Sequence, residues 1–392
     1  MKEKFPIFTK KTELIYLDSA ATTHKPAIVI DAITKFYSEE YATVHRGFYA
    51  DALDATNRLE DVRSKVAKFL TCEPCEVVFT HSATESFNLI AYSYGEKVVK
   101  EGDEVLVSIA EHHSNYLPWK LLCDRKGGKL ITFTDLEDFK GKLTPKTKIV
   151  AITHQSNVLG IINPLKEITA LAHEVSAVVV ADGVQMVAHG HVNVKELDVD
   201  FYTFSAHKMY GPTGVGVLFG KADLLEAMDP FHGGGGMVER VDEQITYRKI
   251  PHKFEAGTPM IASILGLGAA IDFITDIGFE KIKAHESALS CSLYDSLNGL
   301  VTFVNPACRG ASIVAFTMKG MHPLDIGTLL SLDNISVRAG NMCAQPLLQW
   351  LGLDSVVRVS VGIYNDSSDI EALISSLLSI DLFRAKRISK KV

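Results

Sequence analysis

Short apolar runs recur along this chain and set its reading. Val77–Phe79, Val105–Ser108, Ile149–Thr153, Val178–Ala181, Phe201–Phe204 and Val215–Phe219 are rich in β-branched and aromatic residues. Such runs predict buried strands. Longer stretches between them, Asn57–Leu70, Glu85–Val99 and Pro164–Val175, place apolar residues at helical spacing. Strand–helix alternation predicts an α/β fold with a largely parallel sheet flanked by helices. Beyond about Met260 the pattern changes. A glycine-containing apolar stretch, Met260–Ile271, predicts a buried helix. Ser312–Met318, Ile335–Arg338 and Val356–Ile363 predict strands, and Ser368–Leu382 a C-terminal helix. These elements suggest a second, smaller α+β unit.

Composition narrows the class. The chain has 392 residues, 47% hydrophobic and 22% charged, which is enough to bury a large core. Lys and Arg number 40 against 47 Asp and Glu, a formal charge of −7. A mildly acidic chain argues against nucleic acid or an anionic membrane as the main partner. The charged N-terminus lacks a secretory h-region, and no apolar stretch is long enough to span a bilayer. A cytoplasmic protein is the expectation. The six cysteines are scattered, so a disulfide framework is not expected. Cys72 and Cys75 form a lone C-x-x-C, without the second pair a structural zinc needs. No metal is expected.

In open α/β sheets ligands gather at the carboxyl ends of strands. The residues following three predicted strands are polar: Thr80–Glu85, Asp182–Gln185 and Ser205–Lys208. Ser82 and Glu85 have the spacing of a capping box, and the same helix start could cradle a phosphate. Asp182, directly after an apolar run, is either a solvated turn residue or the partner of a protonated ring nitrogen. Lys208, amid apolar and aromatic neighbours, is either a loop lysine or one suited to Schiff-base chemistry. Arg358 lies within an alternating strand, where it could face water or clamp a carboxylate. Cys343 lies in a loop bracketed by Gly340 and Pro346 and could be inert or nucleophilic. His112 and His113 follow another strand without further metal ligands at suitable spacing. The glycine run Gly233–Gly236 lacks the Lys-Ser/Thr of a P-loop, and no G-x-G-x-x-G joins a first strand to a helix.

Together these segments resemble one family. Tyr16–Ala21, Val44–Gly47, Glu111–His113, Thr153–Gly160, Asp182–Gln185, Ser205–Lys208, Glu255–Pro259 and Arg338–Ala344 occur in the order and spacing of class V aminotransferase-like enzymes of fold type I. More closely, the chain resembles the SufS group of cysteine desulfurases.

That resemblance implies a pyridoxal 5′-phosphate enzyme whose large domain, over residues 16–262, holds a mostly parallel, seven-stranded sheet flanked by helices. It implies a small domain built from both chain ends, 1–15 and 263–392. Lys208 would carry the cofactor, Asp182 would pair with its ring nitrogen and Gln185 would contact its hydroxyl. His112 would stack on the ring and take part in proton transfer. Ala83, Thr84, Ser205 and His207 would hold the phosphate, and Thr258 would reach the phosphate of a neighbouring subunit, implying a homodimer. Asn157, Arg358, Ala20 and Ala21 would surround the substrate, L-cysteine or L-selenocysteine, with Arg358 on its carboxylate. Cys343 would take the sulfur as a persulfide and pass it on for iron–sulfur cluster assembly. The short loop from Gly340 to Pro346 resembles the members that rely on a dedicated acceptor of the SufE or SufU type. The chain departs from the group at Asn341 and Met342, the latter where a histidine is common, and at Ser82-Ala83, where Gly-Thr is more usual. Selenocysteine lyase, or an aminotransferase or epimerase that does not use Cys343, are the alternatives on the same scaffold.

Overall fold

The computed structural model describes residues 1–389 and divides into two compact units. The larger comprises Ile28–Gln155 and Asn163–Asp276. Its sheet holds β1 (Val77–Thr80), β2 (Glu104–Ser108), β3 (Lys129–Phe133), β4 (Thr147–Thr153), β5 (Val178–Asp182), β6 (Phe201–Ser205) and β7 (Gly216–Gly220). The spatial order is β1-β7-β6-β5-β4-β2-β3. Neighbours pair in parallel except at β7, which runs against both β1 and β6. The expected seven-stranded, mostly parallel sheet is thus present. Strands β1, β5, β6 and β7 are buried along their whole length. That explains their unbroken apolar sequence, since both faces of a parallel sheet are covered.

Helices α1 (Ala50–Leu70), α2 (Ala83–Ile90), α3 (Leu117–Lys126), α4 (Leu165–Glu174) and α5 (Ile261–Ile277) belong to this unit. The stretch predicted as one helix from Glu85 to Val99 is interrupted by a π-helical turn at Ala91–Gly95. Helix α1 begins at Ala50, before the predicted Asn57, because its first turns are polar and give little periodic signal. β3 has no counterpart among the predicted strands: Lys129–Phe133 is a half-exposed edge strand whose order Lys-Leu-Ile-Thr-Phe neither alternates nor forms an unbroken apolar run. An exposed hairpin, Val238–Val241 with Ile245–Tyr247, was not predicted either.

The smaller unit comprises Met1–Ala27, Ser156–Ile162 and Ile277–Val392. Its antiparallel sheet has the order β8 (Thr302–Phe303), β9 (Ile313–Thr317), β11 (Val356–Ser360), β10 (Arg338–Gly340). The predicted run Ile335–Arg338 divides in two. Ile335–Ser336 pairs in parallel with Ile15–Tyr16, while Arg338–Gly340 pairs with β11. The core combines β9 and β11 with helices α6 (Phe279–Leu297), α7 (Pro323–Leu332) and α8 (Ser367–Ser389), using Leu293, Phe316, Ile326, Val357, Val359 and Leu373. These limits differ from the expected 16–262, 1–15 and 263–392. The chain up to Ala27 and the excursion Ser156–Ile162 group with the smaller unit, while α5 groups with the larger. No single helix among the described residues is long and apolar enough to cross a membrane.

Candidate active site

Five strands of the larger unit end on residues singled out in the sequence or on their neighbours. β5 ends on Asp182, buried, its Oδ1 accepting the Val184 N–H at 2.9 Å. Burial pushes its carboxyl up to about 6, against the Val184 hydrogen bond and the positive charge of Lys208, which pull it down. The solvated-turn alternative for Asp182 is therefore excluded. A buried carboxylate with so little compensation calls for a cation beside it. Gly183 is required next to it, because a Cβ there would lie 2.0 Å from the Tyr202 ring. Gln185 is buried.

After β6 a 3₁₀ turn, Ala206–Lys208, carries Lys208 half-buried. The turn is closed by Met209 and Gly211 N–H bonds to the Ala206 carbonyl, both 3.0 Å. Lys208 lies close enough to Asp182 for their charges to interact.

After β1, Ser82 caps helix α2, its Oγ accepting the Glu85 N–H at 3.3 Å. The capping box is only half made, because Glu85 Oε2 turns to the backbone N–H and ring of His81 instead. Ala83 N–H donates to Ser205 Oγ at 2.8 Å, so this predicted phosphate donor is engaged and Ser205 ties the helix start to β6. Thr84 is exposed. The loop approaches β7 so closely that a Cβ at Gly216 would meet the Ser82 backbone at 2.5 Å.

After β2, His112 Nδ1 accepts the Ser114 N–H at 3.1 Å. A neutral His112 therefore carries its proton on Nε2. Ser114 Oγ is 3.1 Å from the same nitrogen and 2.8 Å from Thr84 Oγ1, joining the two loops. Glu111, fully buried, accepts from the Asn115 side chain and the Thr153 N–H. Burial and the neighbouring Asp182 hold its carboxyl well above the ordinary range. After β4, burial pushes His154 down to about 4, and its Nδ1 lies 2.9 Å from Tyr202 Oη. Glu111 and His154 lie in segments that carry the resemblance but have no role assigned from the sequence, and Ser114 was not picked out. Their position behind strand ends was the available signal.

Asp182, Lys208, His112, Ser205 and a helix N-terminus with the exposed Thr84 fit pyridoxal 5′-phosphate. The decisive feature is the buried carboxyl at Asp182, whose high pKa a ring cation would relieve.

The smaller unit assembles a second set. Arg358, in mid-β11, is buried, which excludes the water-facing alternative. Its Nη1 donates to the Asn157 carbonyl at 3.1 Å and its Nη2 to Asp18 Oδ1 at 2.9 Å. Asn157 Nδ2 donates in turn to the Met342 carbonyl at 2.9 Å. Residues 341–344 form a tight turn closed by Ala344 N–H to Asn341 O at 2.9 Å. Met342 and Cys343 have φ of 55° and 54° there. Two successive left-handed residues without glycine store roughly 1–2 kcal/mol each. Asn341 Oδ1 accepts the Cys343 N–H at 3.0 Å and so supports the turn. Cys343 is half-buried. Ala20 N–H donates to Ser360 Oγ at 2.9 Å, and Ala21 N–H to the Asp18 carbonyl at 3.0 Å.

Thr258 is exposed and lines a cavity of about 550 Å³ with His45, Arg46, Arg248 and His252. Ligating atoms of His45, Glu60 and His252 lie within 4.8 Å of one another. Arg63 already holds both oxygens of Glu60, at 2.8 and 3.2 Å. The cavity lining balances Arg46 and Arg248 against Glu239 and Glu255.

Residues 15–373 match the aminotransferase class-V family. A probable cysteine desulfurase of Vibrio cholerae is 42% identical over 377 residues, 93% of each chain. One of Staphylococcus aureus is 43% identical over 388 residues, 95% of this chain and 94% of its own. Among solved structures, the cysteine desulfurase CsdA of Escherichia coli superposes with a TM-score of 0.90 at 37% identity, over 97% of this chain and 98% of its own. An apo cysteine desulfurase of Thermococcus onnurineus gives a TM-score of 0.92 at 34% identity, over 97% and 96%. With a strand-end lysine–aspartate pair in one unit and an arginine-linked cysteine turn in the other, the chain belongs to the aminotransferase class-V family and, within it, to the cysteine desulfurases.

Proposed function

We propose that this enzyme converts L-cysteine to L-alanine and passes the sulfur, as a persulfide on Cys343, to an acceptor protein of the SufE or SufU type that serves iron–sulfur cluster assembly. It acts in the cytoplasm as a SufS-like homodimer. The observation that carries the reading is the bonded path from Arg358 through Asn157 to the turn of Cys343. An aminotransferase or epimerase that makes no use of a thiol would have no need of it.

Pyridoxal 5′-phosphate, bound on Lys208, supplies an electron sink that acidifies the substrate Cα–H and loosens the Cβ–S bond. Asp182 as the anion stabilises the ring cation, and Gln185 contacts the ring hydroxyl. Thr84, Ser205 and His207 hold the phosphate. Arg358 orients the substrate carboxylate, assisted by Asn157 and the Ala20-Ala21 backbone. The Lys208 amine, set free when the substrate's own amino group takes its place on the cofactor, would take the Cα proton. The Cys343 thiolate attacks the substrate sulfur: an S–S bond forms on Cys343, and the Cβ–S bond breaks with its electron pair moving to carbon. His112, whose Nε2 carries the mobile proton, serves the proton transfers. Protonation at carbon then gives alanine. The acceptor's thiolate removes the outer sulfur by exchange. The exposed Thr258, in a cavity it shares with Arg46 and Arg248, supports the phosphate contact across a homodimer.

Replacing Cys343 by Ser tests the reading. Cysteine-dependent alanine formation falls by at least about a hundredfold while the yellow cofactor colour remains. Alanine formation at the full rate contradicts desulfuration through Cys343. A higher rate on L-selenocysteine that survives the substitution favours the lyase instead.

A further inference from the structure

Arg358 already carries a carboxylate. Asp18 Oδ1 lies 2.9 Å from its Nη2, and the exposures of the two side chains are unequal: 2% for Arg358 and 20% for Asp18. Asp18 is the more open member of the pair and shields the arginine. The Arg358 Nε–H is buried without a hydrogen-bond partner among the described residues. A second cation faces it, since Arg338 is the direct cross-strand partner of Arg358 in the β10–β11 ladder. Like charges opposed across an antiparallel pair repel, so the pair favours an anion. One carboxylate touching one nitrogen leaves that demand partly unmet. The two oxygens of an amino-acid carboxylate can engage Nε and Nη2 together, the two-pronged geometry in which guanidinium binds best.

The Asp18 backbone is fixed. Its carbonyl accepts the Ala21 N–H at 3.0 Å and the Tyr16 hydroxyl at 3.3 Å, and the residue forms an isolated parallel bridge with Ser360. Release of Arg358 therefore needs only rotation of the Asp18 side chain, not a backbone movement.

We propose that Asp18 is a stand-in for the substrate carboxylate: it neutralises Arg358 in the empty enzyme and swings away when an amino acid enters. Asp18 is then a specificity-determining residue that sets how tightly both cysteine and alanine are held. It keeps the arginine from trapping the product or unrelated anions. The inference rests on Arg358 being the carboxylate receptor.

The experiment is steady-state kinetics of the holoenzyme with varied L-cysteine and with L-alanine as product inhibitor. It compares the wild type with Asp18→Asn, Asp18→Ser and Arg358→Ala. Asn and Ser remove the competing charge, so KM for cysteine and the inhibition constant for alanine fall together by about three- to tenfold, with kcat no higher. Thermal melts of the same variants rise more on adding alanine than the wild type's do, a readout independent of turnover. An unchanged or raised KM in both Asp18 variants, with no added stabilisation by alanine, overturns the proposal and leaves Asp18 as a support for the arginine. If Arg358→Ala leaves KM for cysteine unchanged, the reading of Arg358 itself fails. If it raises KM while the Asp18 variants fail the test, only the stand-in role is lost.

Discussion

The side-chain amide of Asn157 donates to the carbonyl of Met342, the residue before Cys343, at 2.9 Å. Through its own carbonyl Asn157 also receives Arg358. It thus supports the nucleophile's turn as well as the arginine. Asn157→Ala leaves Arg358 bonded, because the backbone carbonyl stays, but frees the turn. Losing one buried hydrogen bond is worth about 1–1.5 kcal/mol, so kcat for alanine formation falls by roughly tenfold with KM little changed. Stopped-flow measurement of alanine release against cysteine concentration separates the two terms.

Asn341→Ala tests the turn from its other end. It removes the acceptor for the Cys343 N–H and places a residue with less tolerance for turn geometry beside two left-handed neighbours. The variant is expected to lose about 1 kcal/mol of stability and to slow persulfide formation more than it slows Cα-proton exchange. Deuterium exchange at Cα, followed by NMR alongside alanine release, distinguishes these steps.

Asp182 gives a pH prediction. Its folded-state pKa, about 6, exceeds the ordinary 3.8. A raised value contributes stability that is fully present below the unfolded pKa and is lost as pH rises through the folded one. In the cofactor-free protein above pH 6 the buried anion is therefore a burden. Asp182→Asn is expected to raise the melting temperature of the apoprotein near pH 7.5, by on the order of 2 kcal/mol of stability, with the gain disappearing near pH 4. The same variant binds the cofactor more weakly and loses activity. Calorimetry of apo and holo forms across that pH range measures both effects.

Arg63 holds the segment that carries Thr258. It is buried beneath β1, donates to both oxygens of Glu255 at 2.7 and 2.9 Å, and packs over the Phe79 ring. Burial alone would raise the Glu255 carboxyl, yet the charge of Arg63, with hydrogen bonds from His252, Arg63 and the Phe79 N–H, brings it down to about 2. Arg63→Ala removes the main counter-charge of that buried carboxylate, leaving it the Phe79 N–H and His252, 3.7 Å away, and is expected to cost about 3 kcal/mol at pH 7. The deficit narrows near pH 5, where Glu255 without Arg63 takes up a proton. Denaturant unfolding at the two pH values checks this.

The parallel sheet was legible because β5 and β6 are covered on both faces and read as unbroken apolar runs. Edge strand β3 and the exposed hairpin were not, since half-solvated strands carry polar residues that blur the pattern. Lys208, Asp182, Arg358 and Cys343 stood out as chemically reactive types behind or within strands. For Asp182 and Arg358 burial, which no local pattern reports, removes the solvent-facing alternative. Asp18 stood out only as part of the Tyr16–Ala21 segment and Asn341 only as a departure from the group's pattern, because their roles come from contacts to Arg358, across 340 positions, and to the Cys343 backbone. The left-handed pair Met342-Cys343 was hidden as well, for neither residue type favours that conformation.

The most direct test of the account is a single turnover of the holoenzyme with L-cysteine in the absence of reductant and acceptor, followed by peptide mass mapping. The account predicts one additional sulfur atom on Cys343, with none on Cys72, Cys75, Cys123, Cys291 or Cys308, in equal amount to the alanine released. Alanine released without added sulfur on Cys343, or sulfur found on another cysteine instead, would contradict it.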